Sequence, residues 1–134
     1  MGAWGSGVFE NDTACDFAAS VAEGDDFAVL ERALDRVLAA DGKYLEAPDA
    51  EAGLAAADIV ACLNGSPRVR TSYTASIDEW IGRVQLKPSA ALVEKGRGSV
   101  KRILSEPSEL LELWQESNDF EAWKRAADEV LQRL

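Results

Sequence analysis

A chain of 134 residues, 47% hydrophobic and 28% charged, has the length of one domain and the composition of a globular protein. Histidine is absent, which removes the commonest general base and metal ligand and excludes Ser-His-Asp and Cys-His chemistry within the chain. The net charge of −10 opposes a nucleic-acid backbone, and no apolar run approaches the ~18 residues of a membrane span.

Helical periodicity dominates from residue 12 onwards. Before it, Gly2, Gly5 and Gly7 let the chain fold back on itself, with Trp4 and Phe9 available as core anchors. Asn11 or Asp12 can cap a first helix, and Asp12 is taken as the cap of a short helix through about Val21, ended by Gly24. Asp25 or Asp26 opens a second helix, where Phe27, Leu30, Leu34, Val37 and Leu38 form one apolar stripe before Gly42. On its other face Glu31 and Asp35 are an unfavourable like pair, which Arg32 offsets.

Pro48 suits the first turn of a third helix, Ala50 through Leu63, whose alanines permit close approach of a neighbour. Asn64-Gly-Ser-Pro67 breaks the pattern and Arg68–Thr74 reads as an extended loop. Ser76-x-x-Glu79 matches a capping box for a short fourth helix through about Val84. Pro88 begins a fifth helix, interrupted by Gly96-Arg97-Gly98, where a kink or a very close crossing is expected. Pro107 opens a sixth helix containing Leu110, Leu111 and Trp114. Asn118-x-x-Glu121 is a second capping box, ahead of a last stripe through Phe120, Trp123, Ala127, Val130, Leu131 and Leu134. The fold class expected is all-α: a single helical domain over residues 1–134, six or seven helices in an irregular bundle with the Gly-rich segment packed against it.

Three segments carry a resemblance. Gly-Ala-Trp-Gly-x-Gly-x-Phe-Glu-Asn-Asp at residues 2–12, Lys43-Tyr-Leu-Glu-Ala47 running into the alanine-rich helix, and Ser108-Glu-Leu-Leu-Glu-Leu-Trp114 followed by Trp123 and Leu131-Gln-Arg-Leu134 resemble the bacterial domain-of-unknown-function family 4259. The resemblance implies one compact domain and transfers no activity to any residue.

Each candidate site has a plainer structural reading. The glycines at 2, 5 and 7 suit a phosphate loop, but no strand precedes them and no Gly-Lys-Ser/Thr follows, so a plug closing one end of the bundle is the better account. Glu10, Asn11, Asp12 and Asp16 supply the oxygens a calcium or magnesium site uses, without the spacing of a calcium loop. Acids in a first helical turn follow from the helix dipole, and Glu10 is expected to bond backbone amides of the glycine turn. No cofactor and no metal are therefore expected. Trp80, Trp114 and Trp123 lie at helical spacing among aliphatics, as core tryptophans do. Without a basic leader and apolar core at the N-terminus the expected location is the cytoplasm, where Cys15 and Cys62 read as two reduced, buried thiols.

Charge is segregated along the chain. Residues 68–102 hold eight Lys and Arg against three acids, including Arg97 and Lys101. Such a block pairs with acids elsewhere in the fold or faces a partner, and pairing is the first expectation. The functional expectation is a small soluble binding or regulatory module that acts through a protein partner, without nucleic acid or membrane. Its candidate surface is Trp4, Glu10, Asp12, Asp16, Arg97 and Lys101. The alternative is a small carboxylate- or metal-dependent enzyme using the N-terminal acidic cluster. Partner identity and oligomeric state are left open.

Overall fold

Across residues 3–134, which the computed structural model describes, the periodic segments form seven α-helices. They are α1 (Asp12–Ala22), α2 (Ala28–Leu38), α3 (Ala47–Leu63), α4 (Ala75–Val84), α5 (Ala90–Ile103), α6 (Glu109–Gln115) and α7 (Phe120–Arg133), with a 3-10 turn, Ser72–Thr74, ahead of α4. Among the described residues there are no strands, only isolated bridges pairing Ala3 with Asn11 and Leu45 with Ser108.

The hub is α3. A helix that is apolar all round belongs inside, and every residue from Gly53 to Ala61 is buried. It packs on α1, α2, α5, α6 and α7, while α2 and α5 close against each other beside it. Small residues set these crossings. A Cβ at Gly53 would lie 2.4 Å from Val37 Cγ2, and one at Gly96 would lie 3.3 Å from Leu134 Cδ2. The double glycine of α5 thus serves a close crossing inside an unbroken helix. Gly42 and Gly65, with φ of 74° and 94°, supply the left-handed turns after α2 and α3.

Trp80, Trp114 and Trp123 are all buried, as their spacing implied. The Trp80 indole N–H donates to the carbonyl of Gly24 at 2.7 Å, tying α4 to the end of α1. Trp114 and Trp123 stack at 6.1 Å between α6 and α7.

Helix starts differ from the expectation in detail. Asn11, not Asp12, caps α1: its Oδ1 accepts from the Ala14 amide at 2.8 Å and its Nδ2 donates to the Val8 carbonyl at 3.3 Å. The capping box near α4 belongs to Thr71 and Thr74 on the 3-10 turn rather than to Ser76 and Glu79. Asp119 starts α7 without a side-chain cap, so Asn118 and Glu121 form no box. In each case the tertiary turn placed a different residue at the helix mouth, and propensity yields to that placement.

The segregated charge finds partners within the fold. Lys95 of α5 reaches Asp35 at 2.9 Å and Glu31 at 3.6 Å, relieving the like pair on α2. Arg83 pairs with Asp25, and Arg97 with Glu94 and the Leu134 carbonyl. Arg102 donates to the carbonyls of Ala40, Lys43, Ser105 and Pro107, cross-linking the α2–α3 and α5–α6 connections.

Candidate functional site

The apolar core of α3 carries one charge, Asp58, only 2% exposed. Its two oxygens face two arginines from distant parts of the chain: Arg68 Nη1 lies 3.0 Å from Oδ1 and Arg133 Nη1 lies 2.8 Å from Oδ2. Arg68 extends the network through Nη2 to Asp78 at 2.9 Å, and Asp78 accepts from the Thr74 hydroxyl at 2.7 Å. Arg133 Nε donates to the Ser66 carbonyl at 3.0 Å. Both guanidiniums also point at Cys62, with Sγ 2.7 Å from Arg68 and 3.1 Å from Arg133. Two carboxylates and two guanidiniums thus form a buried group of zero net charge.

Burial pushes the Asp58 carboxyl above the usual carboxylate range, and the two arginines pull it back part of the way. Burial opposes the charge of Arg133, but Asp58 beside it outweighs that cost and holds the guanidinium above its ordinary value. The Cys62 thiol is pushed up by burial and by the neighbouring Asp58 carboxylate, despite the arginines. It stands as a neutral thiol in the cluster rather than as a nucleophile.

Above this cluster opens a cleft of 310 Å³. One wall is the N-terminal turn, Gly7–Glu10; a second is the loop from Arg68 to Thr74; the third is α7 at Ala126, Glu129 and Val130. The turn is held by local chemistry. Glu10 folds back so that Oε1 accepts from the Gly7 amide at 2.9 Å, and the Trp4 amide donates to the Glu10 carbonyl at 3.0 Å. A Cβ at Gly5 or Gly7 would meet that carboxylate at 2.6 or 2.5 Å, which is why glycines stand there. The Cys15 thiol fastens the turn to α1 by donating to the Phe9 carbonyl at 3.1 Å. Phe9 is buried, and its ring lies under the Arg68 guanidinium at 4.8 Å.

Trp4 is not a core anchor. It is 47% exposed and sits against Tyr73, with ring centroids 5.3 Å apart and planes at 57°. The core position expected for it is filled by Phe9 alone, because the glycine turn carries Trp4 outward against Tyr73. Val69, 85% exposed, lines the same cleft.

Of the residues singled out in the sequence, Trp4 and Glu10 come together here. Asp12 and Asp16 lie on the exposed face of α1, and among the described residues no three His, Cys, Asp or Glu side chains are grouped to hold a metal ion. Arg97 lines a separate depression with Asn64, Lys87 and Pro88, and Lys101 is exposed on α5. Asp78, in the first turn of α4, is engaged by Arg68 and Thr74.

Asp58, Arg68, Val69, Tyr73, Glu129 and Arg133 were not singled out by sequence reasoning. Asp58 had a signal, being the single charge in the apolar run Leu54–Leu63. The others are ordinary surface types until the fold assembles them.

No curated protein and no solved structure matches the chain. A family model described as Domain of unknown function (DUF4259) matches residues 2–126, and the chain belongs to that family.

Proposed function

We propose that the chain is a binding module that acts by holding a protein partner in the cleft above Asp58 and Arg68. One observation carries this reading. Of the four large hydrophobic side chains exposed among the described residues, Val69 and Tyr73 line a single cleft and Trp4 sits against Tyr73, leaving only Tyr44 elsewhere. Scattered exposed apolar residues need no explanation, but a cluster around a concave site marks an interaction surface, and aromatics carry much of the energy at such surfaces. The net charge of −10 directs the reading to a protein rather than a nucleic acid. The two free thiols, Cys15 and Cys62, fit a cytoplasmic setting.

Site-specific photocrosslinking in the source cells tests it. A photoreactive phenylalanine analogue at Val69 should trap a discrete protein adduct, the same analogue at Tyr44 should not, and adding Trp4→Ala should abolish the adduct. Equal labelling at the two positions, or no adduct at Val69, overturns the reading.

A further inference from the structure

The cleft has a chemical bias that its apolar rim does not explain. Three carboxylates line it: Asp58 is paired with Arg68 and Arg133, whereas Glu10 and Glu129 belong to no ion pair among the described residues. One cation lines it, Arg68, and its charge is paired within the fold: its Nη atoms are on Asp58 and Asp78 and its flat face lies on Phe9, with Nε alone left without an acceptor. The buried group beneath is neutral as a whole, so the unpaired charges lining the cleft are those of the two glutamates. The Tyr73 ring, with Trp4 tilted against it, adds an aromatic π-system to the lining.

We infer that the cleft takes a basic side chain, Lys or Arg, from a polypeptide segment of the partner, with apolar residues of that segment spread over the rim. The inference rests on the docking reading above and names its chemistry. The cationic head lies between the aromatic pair and Glu129, while Glu10, fixed by the Gly7 amide, supplies the second carboxylate. The methylene stem runs along Val8 and Val130, as long basic side chains bury their stems and keep the charge polar. At 310 Å³ the cleft is at the bottom of the ~300–1,000 Å³ range of small-ligand pockets. A small amine would leave Val69 and the outer edges of Trp4 and Tyr73 in water, whereas a flanking chain covers them, so a polypeptide is the better occupant.

Amide and indole chemical shifts of the isotope-labelled protein provide the test. It is titrated with an acetylated, amidated pentapeptide Gly-Leu-Arg-Leu-Gly, its Lys and Glu counterparts, and n-butylammonium as a small cation. The Arg and Lys peptides should shift the Trp4 indole and the Val69 and Tyr73 amides saturably, and the Glu peptide should not at equal concentration. Glu129→Lys should weaken the Arg peptide about tenfold with an otherwise unchanged spectrum, since like charge replaces opposite charge. Glu129→Gln should weaken it about threefold, and added salt should weaken it further.

Equal binding of the Arg and Glu peptides overturns the cation preference and leaves apolar docking standing. Butylammonium binding as tightly as the Arg peptide overturns the polypeptide occupant. If no peptide shifts these signals while the Val69 adduct still forms in cells, the basic side chain is overturned alone; if the adduct also fails, the docking reading falls with it.

Discussion

Replacing Asp58 by alanine leaves Arg68 and Arg133, whose side chains are 9% and 10% exposed, without the carboxylate that both contact. Arg68 retains Asp78, but Arg133 retains only backbone carbonyls and the Cys62 sulfur. Removing one member of a buried ion pair costs about 3–5 kcal/mol, chiefly because the remaining charge stays desolvated. With an unfolding entropy of about 2.1 cal/mol/K per residue over 134 residues, each kcal/mol moves Tm by about 3.5 °C, so the variant should melt about 10–18 °C below the parent. Adding Arg133→Met removes the stranded charge and leaves Arg68 on Asp78, so the double variant should melt above Asp58→Ala despite carrying a second substitution. Far-ultraviolet circular dichroism during heating, repeated as urea unfolding at fixed temperature, measures both. A loss below about 4 °C for Asp58→Ala, or a double variant less stable than that single one, would refute the claim that these charges depend on each other for burial.

Gly53→Ala should cost about 1–3 kcal/mol in urea unfolding despite alanine's better helix propensity, because its Cβ meets the fully buried, β-branched Val37; Val37→Ala in that background should recover part of the loss. Gly7→Ala should change stability by less than about 1 kcal/mol, because the clash is with the flexible end of Glu10, yet amide exchange should quicken in the turn as Glu10 is displaced. Burial pushes the Glu51 carboxyl up, and burial with Glu106 beside it pushes Glu112 up. A folded pKa above the unfolded one means that the native state binds more protons in the interval between them, so Tm should rise as pH is lowered from 7 toward that interval. Glu51→Gln should raise Tm at pH 7 and flatten the rise, and a Tm that only falls on acidification from pH 7 would contradict the sign.

How far the sequence reached depends on whether a residue's role was local. The stripe Leu30, Leu34, Val37 and the spacing of Trp80, Trp114 and Trp123 report burial directly, since helical periodicity and core placement are the same fact. Glu10 bonding into the glycine turn was legible because donor and acceptor are three residues apart. The Asp58 cluster was not, because its arginines come from positions 10 residues downstream and 75 residues downstream in the chain, and nothing in the types Arg68 and Arg133 marks them as buried. Trp4 failed for a different reason. Composition favours a buried tryptophan, but the turn that brings Phe9 under Arg68 sets Trp4 outward against Tyr73, so which ring enters the core is settled by backbone geometry.

The cluster and the cleft are one construction. Arg68 begins the loop that carries Val69 and Tyr73, and it is held at Asp58, at Asp78 and over Phe9, so loop and N-terminal turn are both fastened to the helical hub. On the proposed docking, a partner would meet aromatics already placed, and pre-placement lowers the ordering cost that binding otherwise bears. That arrangement separates two kinds of variant. Trp4→Ala removes a ring that the core does not use and should weaken docking with little change in melting, whereas Asp58→Ala loosens the base on which the rim stands and should impair both. The family match covers residues 2–126, which includes the N-terminal turn, Asp58 and the Arg68 loop, whereas Glu129 and Arg133 lie beyond it. The charge preference at the α7 wall is therefore argued from this chain's own residues, and Glu129→Lys is the variant that isolates it from the apolar contacts of the rim.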